Sequence, residues 1–288
     1  MTFLLLSILC STVIFVVFKT VEIKGLDTFQ VIVFNYITAC VLGLFLNPGV
    51  ISASSIYNSE WFLGAGFLGC LFIVIFNVMA WTSQRNGLSV ASVATKMSVI
   101  IPIALGIYLY REDLGFLKGL GIILALIAVY LASLKTEGLV IATKSLLLPA
   151  ILFLGSGIID ASIKYIQHYH LDENTFSIFS STIFFFAAVV GIVILLIQVS
   201  IRKKSFSVKN IPLGMLLGIV NFGSIFFLLK TLDLPNFESS TVFTINNVSI
   251  VLLTTLIGLV IFKEKLFAKN WVGISLAIVA IILISITI

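Results

Sequence analysis

Ten long apolar runs separated by polar connectors constrain this sequence more than any other feature. A helix rises about 1.5 Å per residue, so crossing ~30 Å of lipid hydrocarbon takes about 20 mostly apolar residues. A β-barrel would instead show short segments of alternating hydrophobicity. The sequence therefore predicts an all-α integral membrane protein with ten transmembrane helices, at roughly 2 to 20, 28 to 46, 61 to 84, 88 to 110, 114 to 134, 145 to 167, 174 to 200, 211 to 231, 238 to 262 and 266 to 288.

The composition supports a membrane protein. Of the 288 residues, 60% are hydrophobic and 10% are charged, whereas a soluble domain carries about 25% charged residues. The net charge of +5 does not indicate a nucleic-acid partner, because the basic residues lie singly or in short groups between the apolar runs. The first run lacks the positive start and cleavage site of a signal peptide, so we interpret it as the first span.

An internal repeat appears when residues 111 to 133 are aligned with residues 263 to 285, at an offset of 152. Nine of the 23 aligned positions are identical, without a gap. Further matches, among them Lys19 with Lys164, occur at an offset of 145. We therefore predict two homologous five-helix halves, 1–134 and 145–288. The identical pairs are Glu112 with Glu264, Leu114 with Leu266, Gly121 with Gly273, Ile122 with Ile274, Leu124 with Leu276, Ala125 with Ala277, Ala128 with Ala280, Leu131 with Leu283 and Ser133 with Ser285.

The odd number of helices in each half has a consequence for orientation. After five spans the chain is on the opposite side of the membrane, so the second half enters from the other side and the two repeats are inverted. Inverted repeats are characteristic of secondary transporters, whose binding site lies at the interface between the repeats near the middle of the membrane.

In each half the fourth span is followed by a charged turn, at 110–114 (Tyr-Arg-Glu-Asp-Leu) and at 262–266 (Phe-Lys-Glu-Lys-Leu). With the two five-helix halves, this pattern resembles the EamA-type branch of the drug/metabolite transporter superfamily along essentially the whole chain. The resemblance implies a ten-helix bundle around a central cavity that opens alternately to either side. The chain departs from the family in its proline: Pro102 lies ten residues before Glu112 rather than about thirteen, and the ninth span has none.

The sequence thus predicts a secondary transporter, an exporter, in the inner (cell) membrane of a bacterium. It would move a small metabolite, such as an amino acid, sugar, organic anion or drug-like solute, by alternating access, with protons as a coupling ion. We expect contact with membrane lipid, a monomeric or homodimeric state, and no metal or cofactor. The alternative is a membrane-embedded enzyme acting on a lipid or a lipid-linked substrate, but the chain offers no convincing catalytic triad, metal set or phosphate-binding loop.

Two charged residues within the spans are candidates for the site. Lys96 lies about eight residues into the fourth span, at a depth of ~12 Å, where a lysine is costly unless it faces water or a partner. The plainer interpretation is a lysine that reaches the headgroups. In a cavity, Lys96 would suit a carboxylate or phosphate of the substrate. Asp160, in the sixth span, could carry a coupling proton, although a depth difference of about 12 Å argues against a direct bridge to Lys96.

Four further candidates are uncharged. Asn246 and Asn247 lie in the ninth span, where the repeat sets them opposite Thr95 and Lys96. Asn77 and Trp81, one turn apart in the third span, could line a cavity with an amide and a ring. Helix-to-helix packing is the alternative for each of them. The remaining polar groups, His168 and His170 at the end of the sixth span and Glu112 and Glu264 in the charged turns, are predicted to be solvated histidines and turn residues.

The distribution of basic residues predicts the orientation. Connectors after odd-numbered spans hold twelve lysines and arginines, whereas the other connectors hold four. The positive-inside rule then puts the odd-numbered connectors in the cytoplasm and both termini outside. Members of the resembling family usually have cytoplasmic termini, so the two arguments disagree, and we follow the charge count.

Overall fold

The computed structural model describes residues 2–46, 53–102, 116–133, 136–137, 140–141, 146–171, 175–201, 205–232 and 239–286. The charged turn at 110–114, with Glu112, lies outside these ranges. The helices are α1 (Thr2–Ile23), α2 (Thr28–Phe45), α3 (Ala53–Tyr57), α4 (Phe62–Asn86), α5 (Leu88–Met97), α6 (Phe116–Ser133), α7 (Leu147–His170), α8 (Phe176–Ser200), α9 (Ile211–Leu232), α10 (Ser239–Val260) and α11 (Ala268–Ile286).

The helical prediction is confirmed, because every predicted span contains one of these helices. Helix α3 lies in the connector between the second and third spans, and a two-residue hairpin pairs Thr136–Glu137 with Val140–Ile141. Within the part of the chain that the structure describes, five helices are long and apolar enough to cross a membrane on their own, namely α1, α2, α4, α8 and α9. Helices α5, α6, α7, α10 and α11 contain shorter apolar stretches. The molecule is therefore an all-α protein suited to a membrane, while ten crossings stay a prediction.

Helix α5 ends in a break that its sequence explains. The helix stops at Met97, and Ser98 and Val99 form a turn before helical geometry resumes. Proline has no backbone N–H, so Pro102 cannot donate to the carbonyl four residues earlier, which is that of Ser98. The N–H of Ile101 donates to this carbonyl instead, at 2.9 Å, in the tighter i to i+3 pattern. Pro102 thus fixes the bend at Ser98.

The chain packs into two compact units. The larger unit comprises Met1–Lys19, Val78–Asp160 and Gly223–Ile288, and the smaller unit comprises Thr20–Asn77 and Ala161–Phe222. Each unit therefore takes segments from both predicted halves, while the division into repeats at 1–134 and 145–288 stays a prediction. The boundary after Asn77 recurs after Phe222, 145 residues later, which is the offset found in the sequence.

The core of the larger unit is the packing of α6 against α11. A Cβ added at Gly273, near the start of α11, would lie 2.9 Å from the carbonyl oxygen of Ala128 and would also meet the backbone nitrogen of Ala132. Since these alanines are near the end of α6, the two helices run antiparallel. Several residues that match between the halves are buried here, namely Ala125, Ala128, Ala277 and Ala280. Small side chains at matching positions thus permit the close approach.

In the smaller unit, α2 packs against α8 in the same antiparallel manner. The hydroxyl of Ser177, at the start of α8, donates to the carbonyl of Gly43, at the end of α2, at 3.0 Å. Farther along, a Cβ added at Gly191 of α8 would lie 2.9 Å from the side chain of Val33, near the start of α2. The second helix of one predicted half is thus the partner of the second helix of the other.

Candidate functional site

Helices α5 and α10, the fourth of each predicted half, hold most of the candidate residues and pack together in the larger unit. The hydroxyl of Thr254 donates to Oγ of Ser92 at 2.7 Å, and both side chains are fully buried. Toward the start of α5, the backbone N–H of Leu88 donates to the carboxylate of Glu264, just beyond α10, at 2.8 Å. The helices are therefore antiparallel, and residues 96–100 lie at the level of residues 246–250.

Lys96 is next to the last residue of α5 and is partly buried. Its neighbours Val93, Ala94 and Met97 are fully buried in the apolar core of the unit. Lys96 therefore lies two residues before the break at Ser98, inside an apolar segment where an unbalanced charge would be unfavourable.

Asp160, on α7, is exposed and lies beside the end of α5. The hydroxyl of Ser98 lies 3.4 Å from Oδ2 of Asp160 and 2.5 Å from the carbonyl oxygen of Thr95. The structure thus brings the end of α5, which carries Lys96 and Ser98, close to Asp160, and we call these three residues the charged group.

Asn246 and Asn247 are both buried in α10. Oδ1 of Asn246 is 3.4 Å from the hydroxyl of Ser7, which is 2.8 Å from the carbonyl oxygen of Ser224. Asn246 thus joins α1 to α10 within the larger unit. Ser7 and Ser224 gave no signal in the sequence, because lone serines in apolar runs are common and their contact spans 217 residues.

The structure does not join Asn77 and Trp81 in one site. Nδ2 of Asn77 donates to the carbonyl of Ile73 in its own helix at 2.7 Å, and its side chain is buried. Trp81 is 43% exposed. The boundary between the compact units falls after Asn77, so the two side chains belong to different units although α4 carries both.

Glu264 has a contact that the sequence did not indicate. It was predicted to serve its own turn, but its Oε1 accepts the backbone N–H of Leu88, at the start of α5. Gly87 and Gly258 make room for the carboxylate, because a Cβ at Gly87 would lie 2.9 Å from Oε2 and one at Gly258 would lie 2.6 Å from it. Gly87 also has a φ of +108°, which favours glycine. Glu264 therefore caps α5, where a negative charge stabilises the exposed N–H groups.

The smaller unit contains polar contacts of its own. Gln30 is fully buried, and its side chain donates to the carbonyl of Ser205 at 2.9 Å and accepts from Nδ2 of Asn210 at 2.7 Å. The backbone N–H of Asp27 donates to Oδ1 of Asn210 at 3.2 Å. These bonds fasten the connector before α9 to the start of α2.

One predicted solvated histidine has a partner. Nδ1 of His170 lies 2.8 Å from a carboxylate oxygen of Glu60, and the Glu60 side chain is 81% exposed. Within the described ranges, no group of three or more His, Cys, Asp or Glu side chains could hold a metal ion.

Comparison with known proteins establishes the fold. No protein-family model matches the chain. An uncharacterized protein of Haemophilus influenzae is 28% identical over 289 residues, which covers 96% of this chain and 95% of that protein. A solved structure described as "Crystal structure of protein" has a TM-score of 0.56 at 13% identity and covers 96% of this chain and 97% of its own. The chain therefore shares its fold along nearly its full length with a protein of known structure.

Proposed function

We propose that this protein is a secondary transporter of the EamA type, in the drug/metabolite transporter superfamily, that moves a small metabolite by alternating access. The observation that carries the proposal is the pairing of corresponding helices. The second, fourth and fifth helices of one half pack against the second, fourth and fifth helices of the other, each pair antiparallel. Two repeats of the same direction would not give three antiparallel pairs, whereas inverted repeats do. Inverted repeats are characteristic of secondary transporters.

Contacts between connectors support ten alternating crossings. If all ten long helices cross the membrane, connectors after odd-numbered spans share one face and those after even-numbered spans share the other. The bonds of Asp27 with Asn210 and of Leu88 with Glu264 each join two odd-numbered connectors. The bond of Glu60 with His170 joins two even-numbered ones. All three bonds thus agree with a multi-pass protein, which we assign to a bacterial inner membrane.

The binding site that we propose lies around the charged group and the buried amides of α10. In an apolar segment, a polar group is unfavourable unless it has a partner or faces water. Lys96 lies within roughly one helical turn of the level of Asn246 and Asn247, on paired helices from the two halves, where a transporter of this class holds its substrate. The ammonium would bind a carboxylate or phosphate, and the amides would bind uncharged polar groups.

The proposal can be tested by metabolite profiling. Cells expressing the protein would be compared with cells expressing Lys96→Met at equal membrane levels, and metabolites accumulating in the medium would be measured. We expect at least one small polar or amphipathic metabolite to leave the cells faster with the intact protein. Candidates would then be followed as radiolabelled solutes in proteoliposomes. Equal metabolite profiles for the intact protein and Lys96→Met, together with no movement of any candidate in proteoliposomes, would contradict transport. They would favour the alternative of an enzyme acting on lipids.

A further inference from the structure

The amide of Asn246 has a partner at one end. Its Oδ1 lies 3.4 Å from the hydroxyl of Ser7, which is fully buried on α1. Because the carbonyl end faces α1, the amide nitrogen points away from that helix. Among the described residues, none accepts a hydrogen bond from this nitrogen, although the side chain is 2% exposed. A buried donor without a partner is unfavourable, so the N–H groups of Asn246 are suited to a bound molecule.

Asn247 faces a different helix. It precedes Thr254 by seven residues, about two helical turns, so both side chains lie on the face of α10 that meets α5. Asn246 lies about 100° away around α10, on the face that meets α1. Within the described ranges, the Asn247 amide has no hydrogen bond either, and its side chain is 7% exposed. The two amides therefore lie on the side of α10 between α1 and α5.

We propose that α1 forms one wall of the substrate site and that Ser7 positions Asn246 so that its N–H groups point at the substrate. This inference rests on the proposed transport function. The amide nitrogen of Asn246 and the ammonium of Lys96 are both hydrogen-bond donors. The site therefore selects solutes that carry oxygen acceptors over solutes that carry amines. A site built to donate discriminates against a molecule without the acceptor, because its donors are then left unpaired.

The test labels single cysteines in a full-length protein whose three native cysteines are replaced by serine. The probes are two water-soluble reagents, sulfonatoethyl methanethiosulfonate, which carries oxygen acceptors, and trimethylammonioethyl methanethiosulfonate, which carries none. Asn247→Cys should react, because water reaches the site. Leu252→Cys, on the same helix and 42% exposed, is the matched control. It should not react, since a thiol that faces lipid stays protonated.

The ratio of the two rates, sulfonate over ammonium, reports the chemistry of the site. We expect this ratio to be several-fold higher at Asn247→Cys than at Tyr57→Cys, an exposed connector position. Adding Ser7→Ala should lower the ratio at Asn247→Cys, because the Asn246 amide is then free to turn. Attraction of the sulfonate by Lys96 would be the same with and without Ser7, so it cannot produce this decrease.

The possible outcomes separate this inference from the transport function, because labelling requires no transported solute. No reaction at Asn247→Cys, or equally fast reaction at Leu252→Cys, would overturn the inference and leave transport to the metabolite measurements. An unchanged ratio in Ser7→Ala would do the same. If Ser7→Ala does not accumulate, Asn246→Leu, which removes the amide, decides in its place and should lower the ratio as well.

Discussion

Lys96 is the residue on which the proposed transport depends most. If it holds the substrate anion, Lys96→Met should abolish transport in proteoliposomes, because methionine keeps the length of the side chain and removes its charge. Lys96→Arg should retain part of the activity, since the charge remains but the planar guanidinium has a different shape. Both variants should accumulate and melt like the intact protein. Full transport by Lys96→Met would show that Lys96 does not bind the substrate.

Glu264 offers a second test, this time of stability. Glu264→Ala removes the side chain that accepts the N–H of Leu88, and loss of a helix cap costs about 1 kcal/mol. The melting temperature in detergent should therefore fall. The melting temperature of Glu264→Gln should lie between those of Glu264→Ala and the intact protein. The amide oxygen of glutamine still accepts the hydrogen bond, but the negative charge at the helix start is lost.

The comparison variant for Glu264 is Glu60→Ala, which truncates an exposed acid whose partner is the side chain of His170. Surface ion pairs contribute little, so this change should leave the melting temperature nearly unaltered. Equal melting temperatures for Glu264→Ala and Glu60→Ala would show that Glu264 does not stabilise the start of α5.

The sequence predicted some of these residues and missed others for a physical reason. Lys96 and Asp160 stand out because a charge in an apolar run is unfavourable, so single positions suffice to flag them. The cap by Glu264 joins residues 176 positions apart, and the contact of Ser7 with Ser224 joins residues 217 apart. No local pattern records such contacts. They depend on the tertiary packing of helices that are distant in the chain.

At the scale of elements, helix bounds follow from hydropathy, whereas the bend in α5 requires a separate rule. The apolar run continues past Met97, so hydropathy alone predicts one straight span from 88 to 110. The helix is interrupted at Ser98, four residues before Pro102, because proline has no backbone N–H to donate to the Ser98 carbonyl. The position of Pro102 in the sequence contains that information. The packing partners of α6 and α2 were not predicted, because no local pattern indicates which helices meet.

Gly273 tests the packing of α6 against α11. In Gly273→Val the added Cβ would meet backbone atoms of Ala128 and Ala132, which cannot move aside as a flexible side chain could. Overpacking of this kind typically costs about 1 to 3 kcal/mol, so the melting temperature should fall. Ser275→Val, two residues along the same helix and exposed, introduces the same side chain without that clash and should have little effect. Equal stability of the two variants would mean that the helices are not this close.

For the whole molecule, the sequence predicts the all-helical architecture and the repeat but not the compact units. The halves were expected as consecutive stretches, yet each unit combines segments of both. Pairing the second, fourth and fifth helices with their counterparts in the other half buries matching faces, such as the small residues of α6 and α11, against one another. The packing of helices from one half against helices from the other depends on the three-dimensional structure. The order of the helices along the chain does not predict it.

The last prediction concerns which connectors share a side of the membrane. In a protein whose Cys10, Cys40 and Cys70 are replaced by serine, single cysteines would be placed at three exposed connector positions. Ile23 and Val208 belong to odd-numbered connectors, and Tyr57 belongs to an even-numbered one; all three side chains are at least 66% exposed. Because Asp27 and Asn210 bind one another, Ile23→Cys and Val208→Cys should label on the same side, and Tyr57→Cys on the other.

The charge count also decides which side that is. Twelve of the 17 basic residues lie in odd-numbered connectors, so the positive-inside rule puts those connectors in the cytoplasm. A membrane-impermeant maleimide should then label Tyr57→Cys in intact cells and the other two only after the cells are opened. The reverse labelling pattern would favour cytoplasmic termini, as in the resembling family. It would still agree with ten spans whose connectors lie on alternate sides of the membrane. Labelling of Ile23→Cys and Val208→Cys from opposite sides would contradict ten alternating spans and, with them, the inverted repeat.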